Sequence, residues 1–114
     1  MRKIERDMNR AIRAGRNFSN SNTTVETTTF FNSQDVYCEE SKVFLHGNHI
    51  ATVTKNSIIL FDGGWQSNTT KSRLNALLDE FSYGMRVFQK NWEWFVGYKN
   101  VKEDFVNGME LAID

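Results

Sequence analysis

Proline is absent from this 114-residue chain, so its turns must be made by glycine and asparagine. Cysteine occurs once, at Cys38, which rules out an internal disulfide and fits a reducing cytoplasm. No apolar run approaches the ~18 residues that a membrane-spanning helix needs. The charged N-terminus is not followed by the apolar segment of a signal peptide, so the expectation is a cytoplasmic protein with no membrane partner. Three glycosylation sequons, at Asn17, Asn22 and Asn68, are then accidents of an Asn- and Thr-rich chain. Net charge is also lacking: 14 basic and 14 acidic residues cancel. That balance excludes a strongly acidic DNA mimic and a dedicated nonspecific DNA binder.

What is present is enough for one domain with a real core. Aromatics are plentiful, with nine Phe, three Trp and three Tyr. The charge, though balanced, is uneven. Residues 1–16 carry Arg2, Lys3, Arg6, Arg10, Arg13 and Arg16 against Glu5 and Asp7, so a basic arm precedes a mildly acidic body. Ile4, Met8, Ala11, Ile12 and Gly15 recur at helical spacing over residues 2–15 and form a narrow apolar stripe. Arg2, Arg6, Arg10 and Arg13 fall opposite it. This face is either a solvated flank of a docked helix or a cationic surface for phosphate or an acidic protein.

Residues 17–29 read as a loop, "NFSNSN", leading into an edge strand that starts "TTVETTT". A β-meander is expected over 36–61, turning at Gly47-Asn48 and Lys55-Asn56. Those registers put Val43, Leu45, Ile50, Ile59 and Phe61 on one sheet face. They put Phe44, Ala51, Val53, Ile58 and Leu60 on the other. Both faces would then be apolar, one covered by helices and the other by more protein or a second subunit. Leu74, Leu77, Leu78 and Phe81 mark a core-facing helix over 69–83, and Gly84 stops it. Strands follow over 85–113, with turns expected at Lys90-Asn91 and Asn107-Gly108. The fold class is α+β: a single domain with a mainly antiparallel sheet, an N-terminal basic amphipathic helix and one central helix.

Chemistry is sparsely signalled. The Gly47-Asn48 turn would set His46 opposite His49, but two imidazoles fall short of a zinc site and Cys38 lies far down the strand. No metal is assigned. There is no GxSxG, no P-loop and no cofactor motif. Glu39-Glu40 is not a carboxylate pair, because neighbours on a strand point to opposite faces. No catalytic residue is assigned and an enzyme is not expected. "NWEWFVGY" could stack bases through Trp92 and Trp94, with Lys90 and Lys99 at its ends, although alternating indoles more often fill a core.

One helix start is unusual. Lys71 and Arg73 sit in the first turn of the central helix, where the helix dipole is already positive, and Asp79 and Glu80 sit at the other end. Gly63, Gly64, Thr69, Thr70, Lys71, Ser72 and Arg73 together supply close backbone approach, N–H groups, hydroxyls and charge. These are the ingredients of an anion-binding or partner-binding site. The plainer alternative is that Asn68, Thr69 or Thr70 caps the helix. Asp62 would brace the turn before it.

The segments "FLHGNHIA", "LFDGGWQSNTTKSRLNALLDEF", "VFQKNWEWFV" and "FVNGMEL" resemble a family of small tailed-bacteriophage accessory proteins. The resemblance runs from about Phe44 to the C-terminus, with Asp62–Leu78 its most specific part, and "MRKIERDMNRAI" is similar too. The Thr-rich segment at 23–31 fits less well and reads as an insertion. The resemblance brings no catalytic residues. It implies a phage protein acting in the cytoplasm of the infected bacterial host, partnered with a host or defence-system protein. Nucleic acid is a second partner class and a homodimer a third arrangement. The function expected is stoichiometric binding, such as inhibition of a nuclease or an antiviral system of the CRISPR type. The alternative is a nucleic-acid-binding module using the basic helix and the Gly63–Arg73 turn.

Overall fold

The computed structural model describes residues 1–98 and 100–113. Helix α1 spans Lys3–Arg13 and helix α2 spans Asn68–Phe81. Strands β1 (Phe18–Asn20), β2 (Thr23–Phe31), β3 (Tyr37–Leu45), β4 (Asn48–Thr54) and β5 (Ser57–Leu60) precede α2. Strands β6 (Arg86–Lys90), β7 (Glu93–Tyr98), β8 (Val101–Asp104) and β9 (Met109–Ala112) follow it. All pairings are antiparallel, and they form two sheets, β1-β2-β3-β4-β5-β9 and β6-β7-β8. The domain is α+β, as its patterning indicates.

Several expected details change. "NFSNSN" contains a short strand, β1, which pairs with residues 23–25 only. The first meander turn is His46-Gly47, with both residues at positive φ, and not Gly47-Asn48. His46 therefore occupies the turn itself, and the residue opposite His49 is Phe44. The Lys55-Asn56 turn lies where expected, but the turn between β6 and β7 is Asn91-Trp92, again at positive φ, one residue beyond Lys90-Asn91. Asn107-Gly108 does turn the chain, but it sends β9 back to the large sheet instead of pairing it with β8. The Asn107 side chain accepts from the Asp62 amide at 2.8 Å, and the Gly108 amide reaches the Leu60 carbonyl at 2.7 Å.

The sheet faces are also corrected. A register shift at Val43/Phe44 sets Val43 opposite Ala51, while Ala51 pairs with Leu60 and Val53 with Ile58 as the expected Lys55-Asn56 turn requires. Directly paired residues share a face. Val25, Val43, Leu45, Ala51, Val53, Ile58 and Leu60 therefore all lie on the core face with Leu111. Ile59 and Phe61 lie with Phe44 on the outer face, half-buried. One inserted residue, Ile50, thus brings Val43 and Leu45 onto the face of Ala51, Val53, Ile58 and Leu60 and leaves Phe44, Ile59 and Phe61 on the other.

Met8 and Ile12 of α1 and Leu74, Leu77 and Leu78 of α2 fill that core face. The small sheet closes α2 from its other flank through Val87, Trp94 and Val96. Asn75 fastens this junction. Its carboxamide donates to the Val87 carbonyl at 2.9 Å and accepts from the Val87 amide at 2.8 Å.

Candidate functional site

The turn before α2 is built by its own side chains. Asp62 accepts from the Gly64 amide at 2.8 Å, which sets the loop, and Gly63 and Gly64 both hold positive φ. At Gly63 a Cβ would also stand 3.1 Å from Ile50 and 3.2 Å from Asn48. Glycine is needed there for space as well as for conformation. The cap of α2 is Ser67, one residue before the three expected candidates. Its hydroxyl accepts from the Thr70 amide at 3.1 Å and lies 3.0 Å from the Thr70 hydroxyl.

The structure divides the seven residues of the expected anion site. Arg73 is buried at 3% exposure and points inward, not toward the turn. Its guanidinium donates to Glu5 at 2.9 Å, to the Thr23 hydroxyl at 2.9 Å and to the Asn22 side-chain Oδ1 at 3.2 Å. Ser72 donates to the same Glu5 carboxylate at 2.6 Å. Thr70 is buried beneath the cap. Arg73 and Thr70 thus belong to the interior, and Ser72, half-buried, is committed to Glu5. Gly63, Thr69 and Lys71 stay half-exposed and Gly64 exposed. Lys71 leans over the Trp94 ring at 5.9 Å and donates to Gln89 at 3.4 Å.

Of the two cations expected in the first turn of α2 only Lys71 is there; Arg73 falls in the second turn and is answered by Glu5 of α1. Glu5 also accepts from the Arg2 amide at 3.2 Å, closing the start of its own helix. Burial pushes the Glu5 carboxyl up. The bonds from Ser72, the Arg2 amide and Arg73, with the guanidinium charge, outweigh burial and hold it below the ordinary carboxylate value. The sequence carried a signal for this pair. Glu5 falls on the apolar side of α1, in line with Met8 and Ile12, and a carboxylate there demands a buried partner.

Taking Glu5 inward changes the surface of α1. Its outer face presents Arg2, Lys3, Arg6 and Arg10, all exposed, with Asp7 as the acid beside them. Asp7 bonds Lys3 at 2.7 Å and lies 3.8 Å from Arg10, contacts that hold its carboxyl low, the Lys3 bond foremost. Arg6 donates to the Met1 carbonyl at 3.3 Å. Arg13 is committed differently: it pairs with Glu80 and lies 5.0 Å over the Phe81 ring. It anchors α1 to α2 while the other cations face outward.

Trp92 and Trp94 do not form a stacking platform. Trp92 sits in the turn at 89% exposure, whereas Trp94 is 5% exposed and meets Phe105 edge-on at 5.4 Å. Lys99, the expected cation at the far end of that strand, lies outside the described residues. His49 packs between Phe44 and Phe61 on the outer sheet face and bonds the Ala51 carbonyl at 2.9 Å. Burial, with Lys42 nearby, lowers its pKa despite that bond and Glu40. No group of His, Cys, Asp or Glu among the described residues is arranged to hold a metal ion. No helix among them is long and apolar enough to cross a membrane. Beyond the α1 face, an open groove of about 790 Å³ lies between the projecting β2–β3 hairpin and the body, with Ile12, Phe81, Val36 and Tyr37 among its walls.

The family model described as Kyanoviridae Gp96 protein matches residues 1–112. No curated protein and no solved structure matches the chain.

Proposed function

The chain belongs to the Kyanoviridae Gp96 protein family, a phage protein family, and from that membership we propose that it is a noncatalytic accessory protein working in the infected cell by binding. The binding surface is the outer face of α1, and the partner is a host or defence-system protein that offers an acidic patch. The observation that carries this reading is the inward turn of Glu5. With that acid neutralised by Arg73, α1 presents a row of arginines against a single carboxylate. A rigid helix fastened by Arg13 can place such a row on a carboxylate cluster with little ordering cost. Nucleases and antiviral effectors cluster carboxylates around catalytic metal ions. A cationic helix laid over such a cluster would inhibit without chemistry.

A second reading, direct nucleic-acid binding, is favoured by Trp92, which stands exposed beside Lys90 on a hairpin tip and could stack a base. Lys71 at the half-exposed start of α2 would add a phosphate contact. The two readings separate in one experiment. Tagged wild type and an Arg2→Glu, Arg6→Glu, Arg10→Glu variant are used to capture proteins from infected-cell lysate, and both are titrated with single- and double-stranded DNA at low salt. The first reading expects a defined acidic protein retained by wild type and lost by the variant, with no DNA binding. DNA binding whose affinity falls steeply with salt would support the second. Capture that survives the triple reversal would remove α1 from the interface.

A further inference from the structure

Strand β2 outruns its neighbour. β1 covers residues 23–25, and the Asn17 side chain accepts from the Thr27 amide at 2.8 Å. From Thr28 to Phe31 the strand still pairs with β3 on one side, but no strand among the described residues lies on the other. Residues 28–31 are all exposed, and the large apolar side chains gathered on this hairpin include Phe30, Phe31, Val36 and Tyr37, with Phe31 at 68%. Natural proteins blunt such an edge with proline, lysine or a cover. This chain has no proline, and from Thr27 to Gln34 it has no charge.

The direction of each backbone group follows from the bonds present. The Thr27 amide points to the β1 side, so by the two-residue period the N–H and C=O of Thr29 and Phe31 point outward too. Phe30 lies opposite Cys38 and turns its backbone groups toward β3. We propose that this edge joins a second copy of the same chain: β2 pairs antiparallel with β2 of its partner about a two-fold axis at Phe30. In that register Thr29 faces Phe31 of the partner subunit and Phe31 faces Thr29 of the partner subunit. Each pair exchanges two N–H···O bonds, so all outward groups are used. Moving the axis to Thr29 would oppose Thr27, whose amide is already committed to Asn17.

Three features single out a second copy as the occupant. The hydrogen-bonding pattern is self-complementary about Phe30, as a two-fold interface requires. The register opposes no like charges, since the overlapping residues 28–32 carry none, and the zero net charge removes long-range repulsion. The overlap ends where β1 begins, so the two bodies extend away in opposite directions. The paired Phe30 rings fall on the outer sheet face beside Cys38, and the Phe31–Tyr37 edge contact, 5.6 Å between centroids, falls on the other. The inference is independent of the α1 surface. Four strand bonds and four aromatic rings make a small interface, so the association is reversible and concentration-dependent.

Sedimentation of the intact chain from low micromolar to about 0.5 mM, a range spanning micromolar dissociation constants, should show the mean mass rising toward two chains. Thr29→Pro removes only an outward N–H, and Phe31→Lys charges the edge. Both should stay at one chain throughout while keeping wild-type circular dichroism. Register is tested by disulfide trapping in a Cys38→Ser background, because Cys38 would otherwise capture a thiol placed at Phe30. Phe30→Cys should cross-link between copies, since a directly opposed, non-hydrogen-bonded pair sets its Cα atoms about 4.5 Å apart, within disulfide reach. Phe31→Cys should cross-link at least tenfold more slowly. A wild-type mass of one chain over the whole range, or a dimer that persists in folded Thr29→Pro and Phe31→Lys proteins, would overturn the proposal. So would equal trapping at positions 30 and 31.

Discussion

The pair Glu5–Arg73 shows how much one residue can decide. Both side chains are almost fully buried, at 3% and 4% exposure. Their mutual attraction is set against the loss of water around two charges, so the intact pair adds little net stability. Breaking it is another matter. Glu5→Ala leaves a buried guanidinium with neutral partners only, and should cost about 3–5 kcal/mol. At roughly 4 °C per kcal/mol for a chain of this size, calorimetry should show a fall in Tm of more than about 10 °C. The double variant Glu5→Leu, Arg73→Met should recover most of it. The same pair gives an acid dependence. A carboxyl held low in the folded state contributes fully above its unfolded value, near pH 4.5, and loses that contribution as pH falls through the folded value. His49 acts in the same direction at higher pH. Its lowered pKa means that stability begins to fall as pH drops below about 6.5, because the unfolded chain takes up the proton first. A His49→Phe variant should lose the upper part of the acid-destabilisation curve and keep the lower. At the turn, Gly63→Ala should cost more than Gly64→Ala. Both strain a positive φ, by roughly 1–2 kcal/mol, but only at Gly63 is a Cβ crowded by Ile50 and Asn48. Denaturant midpoints compare them directly.

At the scale of elements, α2 is the spine. Its apolar stripe was readable from spacing: Leu74, Leu77 and Leu78 are all fully buried. Its cap was legible less well, because Ser67, Asn68, Thr69 and Thr70 are all competent acceptors and only the approach angle of the turn selects Ser67. The hairpin turns were misplaced by one residue at both 46–47 and 91–92 for one reason. His46 and Trp92 each occupy a positive-φ position that sequence rules reserve for glycine or asparagine. The shift moved Trp92 off its strand and so dissolved the stacking face. Asn75 is the element-scale contact with most consequence, since it satisfies both backbone groups of Val87. Asn75→Ala should cost about 1–3 kcal/mol through the groups left unpaired. It should also loosen the small sheet selectively, seen as faster amide exchange in β6 and β7 than in β3 and β4.

For the whole molecule, two sheets share one core through α2, so they should unfold together. Far-ultraviolet circular dichroism, which reports helices and strands together, and the fluorescence of Trp94, buried in the small sheet, should give coincident denaturation curves in wild type. With Trp65→Phe and Trp92→Phe removing the two exposed indoles, the remaining emission should be blue-shifted and poorly quenched by iodide. Separate transitions for the two probes would mean that α2 does not couple the sheets. Composition and periodicity determined the class of fold, the two helices and their buried stripes, and the excess of cations at the N-terminus. Those are properties of local spacing and of residue type, which the sequence displays directly. Only the tertiary structure decided where Arg73 points, which sheet face is apolar, which tryptophan is free and which strand edge is left open. Each of these turns on a contact between residues distant in the chain, or on a one-residue register shift that inverts the side-chain direction of everything beyond it.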